Sequence, residues 1–306
     1  QFWTSEDPVA DFTVDTLQGC NELIVQTDTT INSSTGSYTW NVWNVGYITP
    51  TIDTTVSTNN ISTPTFTLTN TSNTIDSTYI IVLTVGDPAT GCDSTLVSDT
   101  ITVFHNPLAL FTLSDTALCA PNIITVNSTS ITGSNLFYNW TVNPGALNVN
   151  TPTDPNTSID FVDNISGISN FYDITLNIID DRGCLDSTTH TVELWTRPIS
   201  NFHIDSLQCG PVDLTPNNQS QYATGTPNFI WNILSPPPPG WSFSNINAPV
   251  PIISLDENTG PNAIDYIIEL TSITNNGCTD ISTDTVTVFP TPIVDFTVID
   301  SNGCGP

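Results

Sequence analysis

One stretch of this sequence is stated three times and begun a fourth. The phrase opening Pro8-Val9-Ala10-Asp11-Phe12-Thr13-Val14 and running to Cys20 returns as Pro107 to Cys119, Pro198 to Cys209 and Pro292 to Cys304. A second phrase, Tyr79-Ile80-Ile81-Val82-Leu83-Thr84-Val85 closing on Gly91-Cys92-Asp93, returns at Tyr172 to Cys184 and Tyr266 to Cys278. Successive first cysteines lie 99, 90 and 95 residues apart. That period is domain-sized, so the chain reads as a tandem array. The repeats span 8–105, 106–197 and 198–290. Residues 1–7 read as the tail of a preceding repeat and 291–306 as the start of a further one, so an excerpt of a longer exported protein is expected.

Aligned on their cysteines, the repeats share one skeleton. Strand A carries Phe12, Phe111, Phe202 or Phe296, and strand B follows the first cysteine. Strand C alternates around a tryptophan: Tyr38-Thr39-Trp40, Tyr138-Asn139-Trp140, Phe229-Ile230-Trp231. A middle strand (Thr65–Leu68, Ser158–Phe161, Ile252–Leu255), the Tyr-led strand F and a final strand G (Thr100–Phe104, Thr191–Trp195, Thr285–Phe289) complete it. Period-two alternation in short runs, broken by Gly, Pro, Asn and Asp, predicts antiparallel strands. About seven strands per repeat with a Trp on the third fit an all-β, immunoglobulin-like sandwich. Strand G meets the next strand A across only Asn106-Pro107, Arg197-Pro198 or Pro290-Thr291-Pro292. Proline restrains its own φ and its predecessor, which predicts stiff joints and an extended head-to-tail array.

Charge excludes whole classes of partner. Thirty acidic residues face two arginines, Arg182 and Arg197, and no lysine, for a net charge of -28. No basic patch exists to displace counterions from phosphates, so nucleic acid and anionic membranes are excluded as partners. No apolar run reaches 18 residues, so no membrane span is expected.

These elements resemble the PKD-type immunoglobulin-like repeats of giant exported proteins of Bacteroidota. The matching features are the Phe of strand A, the Cys before strand B, Tyr-x-Trp on strand C, Tyr-x-x-x-Leu on strand F and the Gly-Cys-x-Asp/Ser after it. The likeness covers essentially the whole chain. One departure is clear. The family's Trp-Asp-Phe-Gly-Asp-Gly is replaced by Trp40-Asn41-Val42-Trp43, Trp140-Thr141-Val142-Asn143 and Trp231-Asn232-Ile233-Leu234, so roles tied to that acidic turn do not carry over. The resemblance implies type IX secretion, an extracellular or cell-surface location, and roles in adhesion, gliding or appendage filaments, without catalysis.

The seven cysteines imply an oxidising compartment, since no Cys-x-x-Cys or Cys-x-x-His offers a zinc half-site. Two pairings are open. Within repeats, Cys20 would join Cys92, Cys119 would join Cys184, and Cys209 would join Cys278. Strand directions argue against this: the cysteine before strand B lies at the C-terminal pole and the one after strand F at the N-terminal pole. Strands of ordinary length separate those poles by roughly 17–20 Å, whereas a disulfide tolerates about 7 Å between Cα atoms. Between neighbours, Cys20 meets Cys184 and Cys119 meets Cys278. Cys92, Cys209 and Cys304 then pair with repeats beyond this segment. Free or interchain thiols are the third alternative.

Three further constellations stand out. Asp-Ser/Thr followed by Ala, Ile, Leu, Val or Thr occurs ten times, with acceptors Thr16, Thr29, Thr54, Ser77, Ser94, Thr100, Thr116, Ser187, Ser206 and Thr285. It resembles the O-glycosylation acceptor pattern of Bacteroidota, although Asp-Ser/Thr also suits turns. Asp180, Asp181 and Asp186 form the densest calcium candidate, short of the six to eight oxygens that calcium takes; such residues also cap turns. Trp43, Trp241 and the run Pro236-Pro237-Pro238-Pro239 belong to single repeats, which marks them as ligand-contact candidates or as locally packed loops. Neither His105, His190 nor His203 lies in a nucleophile motif, so no enzyme is expected.

The functional expectation is a structural stalk or filament segment of a large secreted adhesin or appendage, stiffened by disulfides. Identical chains in a filament or bundle are candidate partners, with calcium as the aid against charge repulsion, and a surface polysaccharide or protein is the other candidate. The alternative is a carbohydrate- or protein-binding module of a secreted multidomain protein.

Overall fold

The computed structural model describes residues 8–29, 37–46, 51–58, 63–87, 91–222, 227–236 and 240–297, with 51–58 described as a strand path only. Every regular element among them is a β-strand. Among the described residues no helix is long and apolar enough to cross a membrane. The chain divides into two compact units. Unit 1 comprises Gln1–Ser114, Ile124–Ile159 and Asp173–Thr191, and unit 2 comprises Asp115–Ile123, Asp160–Tyr172 and Val192–Pro306.

Unit 1 holds the first repeat as a two-sheet sandwich. One sheet pairs strand A (Phe12–Val14), B (Leu23–Thr29) and E (Thr65–Leu68). The other runs A′ (Gln18–Cys20), G (Ile101–Phe104), F (Ser77–Gly86), C (Ser37–Asn44) and Thr51–Thr58, with Asp93–Val97 along the far end of F. Alternation places Tyr79, Ile81, Leu83 and Val85 of strand F inward, against Val25, Val42, Phe66 and a fully buried Trp40. Phe12 meets Trp40 edge-on at 5.0 Å between ring centroids, a geometry that places the positive ring edge against the negative face. The same unit carries part of the second repeat. Strand C (Leu136–Asn143) pairs with F (Asn170–Asp180) from Leu136↔Asp180 to Asn143↔Asp173, and Phe111 stands edge-on to Trp140, again at 5.0 Å.

Unit 2 holds the third repeat. Strand C (Asn228–Ser235), F (Ile264–Ile273), G (Thr279–Phe289) and A′ (Leu207–Cys209) form one sheet, and Val212–Leu214, Ile253–Leu255 and Trp241–Phe243 form another. Phe202 and Trp231 repeat the edge-on pair at 4.9 Å. Strand G starts at Thr279 here, and at Leu185 in the second repeat, six residues earlier than the apolar run predicts. Its solvent-facing half is Thr- and Ser-rich, so alternation is hidden there while the backbone still pairs with F.

Two recurring devices have no counterpart in the strand reading. The first is A′, a three-residue strand that ends on the first cysteine and runs parallel to the exit of G. Cys20 lies opposite Phe104, Cys119 opposite Trp195 and Cys209 opposite Phe289. The second is a buried asparagine after strand E: Asn70, Asn164 and Asn258. Each Nδ2 donates to the last core carbonyl of strand G (Val103, Leu194, Val288) and to a carbonyl four or five residues on (Ile75, Ile168, Asn262). Each Oδ1 accepts the N–H two residues later, at Ser72, Ser166 or Gly260. Asn70-Thr71-Ser72 and Asn164-Ile165-Ser166 read as glycosylation sequons, yet both amides are buried and spent on these bonds.

Asn164→Ala removes these bonds and the one that the Ser166 hydroxyl donates to Oδ1, and leaves buried carbonyls without donors, so it is expected to destabilise the chain by about 2–4 kcal/mol. A fall in the urea midpoint at unchanged slope checks this; an unchanged midpoint refutes the role.

Candidate functional site

The chemistry of this chain gathers at the two joints between repeats. Joint 1, between the first and second repeats, lies within unit 1; joint 2, between the second and third, lies within unit 2. Each joint carries one disulfide and one of the two arginines.

At joint 1 the turn Asp180-Asp181-Arg182-Gly183-Cys184 does three things at once. The Asp180 carboxylate, wholly buried, folds the turn: its Oδ1 accepts the N–H groups of Arg182 and Cys184 at 3.0 and 2.8 Å. Gly183 supplies the left-handed residue that closes it, at φ +92°, a conformation that costs a side-chain-bearing residue energy. The turn thereby presents Cys184 to Cys20 of the first repeat, with which it is bonded at 2.09 Å. It also presents Arg182, whose Nη1 donates to both oxygens of Asp76 at 2.7 and 2.8 Å. The guanidinium lies 4.7 Å over the Phe104 ring and donates to Asp180 Oδ2 and Ser134 Oγ. Burial alone would raise the Asp76 and Asp180 carboxyls. Hydrogen bonds from Arg182 and from backbone N–H groups outweigh it and hold both below the ordinary aspartate value.

Joint 2 uses other residues for the same ends. Thr274 Oγ1 takes Asp180's place by accepting the Cys278 N–H, Gly277 closes the turn at φ +82°, and Cys278 is bonded to Cys119 at 2.08 Å. The arginine comes from the linker. Arg197 forms a two-pronged pair with Asp163, at 2.9 and 2.7 Å, and reaches Asp280 at 3.1 Å. The hydrogen bonds it donates to Asp163, against the opposing effect of burial, raise its basicity.

The Gly-Cys-x-Asp/Ser phrase has a physical reason. Its last residue accepts a backbone N–H at the entry to strand A: Ser94 from Ala10, Asp186 from Ala109, Asp280 from Ser200. The calcium candidates therefore point three ways. Asp180 holds the turn, Asp181 accepts from Asn135, and Asp186 caps strand A. Among the described residues no cluster of three or more His, Cys, Asp or Glu side chains is placed to hold a metal. Of the remaining cysteines, Cys92 and Cys209 are exposed, and Cys304 lies outside the described residues.

Of the glycosylation candidates, Thr100, Thr116, Ser187, Ser206 and Thr285 are exposed and Thr16, Thr29, Ser77 and Ser94 half-buried; the Thr54 side chain lies outside the description. Trp40, Trp140 and Trp231 are core residues. Trp241 packs against the third core beside Phe243, and its N–H donates to the Pro236 carbonyl. Trp43 is half-buried on strand C, and Pro237 to Pro239 lie outside the described residues.

One arrangement has the order of a hydrolytic triad. His105 bridges Asp76 (Nδ1 to Oδ1, 2.7 Å) and Ser134 (Nε2 to Oγ, 3.2 Å) beside a polar cleft of about 850 Å³. General-base chemistry needs a free Nε2 lone pair and space for an acyl carbon at Oγ. Here the Gly133 N–H points at Nε2, and the Arg182 guanidinium lies 2.9–3.0 Å from both ring nitrogens and 2.9 Å from Oγ. The cluster is a saturated structural network. His190 packs on Phe111 and His203 sits 3.4 Å from Asp284.

No family model and no curated protein matches this sequence. Among solved structures it is similar to a three-Ig segment of titin in an E-to-A variant, at 9% identity over 94% of this chain and 100% of that one, TM-score 0.41. It is also similar to the ICAM-5 D1–D4 ectodomain fragment, at 8% identity over 92% and 76%, TM-score 0.39. With the N-terminal eight Ig domains of Down Syndrome Cell Adhesion Molecule the figures are 12% over 92% and 42%, TM-score 0.38.

At Gly133 the two repeats of joint 1 lie close: an added Cβ would lie 2.4 Å from the Thr74 carbonyl oxygen. Gly133→Ala is expected to prise joint 1 apart, so that dithiothreitol reduces Cys20–Cys184 faster while Cys119–Cys278 is unaffected. Equal reduction rates would contradict this. The depressed Asp76 and Asp180 carboxyls stabilise the joint fully above the ordinary aspartate value of about 4. That contribution is lost as pH falls through their lower folded-state values, and Arg182→Gln should shift the loss to higher pH in an acid-unfolding series.

Proposed function

We propose that this chain is a load-bearing segment of an exported surface adhesin or appendage, built of PKD-type repeats. The observation that carries the reading is the order of the four bonded cysteines. Cys20–Cys184 and Cys119–Cys278 interleave, so each loop encloses one end of the other. Between Cys20 and Cys278 two covalent paths run in parallel, one along 20–119 and across to 278, the other across to 184 and along 184–278.

This gives redundancy under load. Fully stretched, the path through the disulfides reaches about 500 Å, against about 1,000 Å for the reduced chain. Either bond alone sets nearly the same limit, so one can fail without the chain doubling in length. Such bonds persist in an oxidising setting, which supports an extracellular or cell-surface location reached, by resemblance, through type IX secretion. Glycans on the Asp-Ser/Thr acceptors would shield the exposed chain from proteases, and identical chains or a surface polysaccharide are the partners this role implies. The binding-module reading gains no support from Trp241, whose ring is engaged by its own core.

Stretching single molecules tests the role. The native chain and the paired variants Cys20→Ser with Cys184→Ser, or Cys119→Ser with Cys278→Ser, should all stop near 500 Å, and only loss of both bonds should approach 1,000 Å. Stepwise lengthening with each pair removed would sink the redundant-path reading.

A further inference from the structure

We propose that joint 1 is a proton-sensitive hinge, held shut by neutral His105 and released by its protonation while the disulfide keeps the repeats tethered. The reading is independent of the mechanical proposal above.

His105 is the last residue before the Asn106-Pro107 linker, and its side chain is 5% exposed. Its hydrogen bonds assign its tautomer. The Asp76 carboxylate can only accept, so Nδ1 carries the proton that it donates at 2.7 Å. The Gly133 N–H can only donate, so Nε2 presents its lone pair across 3.2 Å. That contact joins the end of the first repeat to the loop before strand C of the second, at a point where an added Cβ on Gly133 would meet the Thr74 carbonyl. A neutral imidazole satisfies both neighbours; an imidazolium, a donor at both nitrogens, turns the Gly133 contact into two opposed N–H groups.

The surrounding charges do not rescue the cation. From the loop before strand F comes Asp76, already engaged at both oxygens by Arg182. From the turn after strand F of the second repeat come Asp180, spent on Arg182 and the Cys184 N–H, and Asp181, accepting from Asn135. The same turn places the Arg182 guanidinium 2.9 and 3.0 Å from the two ring nitrogens. Thr132, Gly133, Ser134 and Asn135, on the third element, are uncharged. A second positive charge would therefore sit about 3 Å from the first, with no unshared carboxylate between them. Protonation favours a ring that leaves its slot, and with it the Gly133 and Ser134 bonds are lost. Histidine is the side chain that changes charge between about pH 5 and 8, so the joint is closed at neutral pH and loosens as pH falls.

Joint 2 supplies the control. Thr196 stands where His105 stands in joint 1, and its hydroxyl donates to the Asn164 carbonyl and accepts the Gly167 N–H. Among the described residues no histidine stands at that place in joint 2.

The test is amide exchange of the full oxidised chain, corrected for the intrinsic pH dependence of exchange, with the His105 ring followed by NMR. From about pH 7.5 to about pH 5 the Gly133 amide should lose protection on the order of tenfold, with the same midpoint as the His105 ring signals and with residues 196–200 unchanged. His105→Gln, which cannot gain a proton, should abolish the pH step. The proposal is overturned if His105 titrates while Gly133 stays protected, if His105 does not titrate in this range, or if His105→Gln shows the same step. Should His105→Gln fail to close the joint at neutral pH, the coincidence of the two wild-type midpoints decides the matter alone.

Discussion

The parallel pairing of A′ with the exit of strand G is the constraint on which the rest of this structure depends. It places the first cysteine of each repeat beside the residue through which the chain leaves that repeat: Cys20 by Phe104, Cys119 by Trp195, Cys209 by Phe289. The second cysteine follows strand F, at the end where the chain enters. A strand length separates the two, so a cysteine cannot reach its own repeat's partner and can reach its neighbour's. Covalent continuity between repeats is thus a consequence of where one three-residue strand pairs. The interleaved order of the bonds, and the two covalent paths between Cys20 and Cys278, follow from it.

Electrostatics then decides how the joints close. In a chain of net charge -28, carboxylates repel at every close approach, and two cations are all the chain has to offset them. Both stand at joints. Arg182 answers one buried carboxylate and one that is 35% exposed, and Arg197 answers an exposed one and a half-buried one. An exposed pair of this kind contributes little, but Asp180 has no contact with solvent, and a buried carboxylate stripped of its partner is costly. The arginines therefore matter less as net attraction than as the condition under which acidic surfaces can meet at all. The His105 ring packed against Arg182 belongs to the same network.

Much of the fold is legible in the residues because its causes are local. Alternation in Tyr79–Val85 writes the inward face of strand F directly, and Trp40, Trp140 and Trp231 announce the core. The asparagine corner is not legible in that way. Asn70-Thr71-Ser72 reads as a sequon or a loop, and only the packing of strand E against G shows that the amide bridges two carbonyls. Its signal was nonetheless present, as an Asn two residues before Ser or Gly at the same place in each repeat. Asp186 shows the converse. It reads as an acidic turn residue with a metal option, while its role is set by the Ala109 N–H at the entry to strand A, far away in sequence.

By itself the sequence determined the repeat, the strands, the aromatic core and the acidic composition, because periodicity, composition and spacing act over a few residues or over the whole chain. The tertiary structure alone decided which side chains meet across a joint: Arg182 with Asp76, His105 with Gly133, Arg197 with Asp163 and Asp280. Those meetings depend on the register of A′ against G and on the turn that Asp180 folds. A contact between residues a hundred positions apart leaves no local periodicity to read.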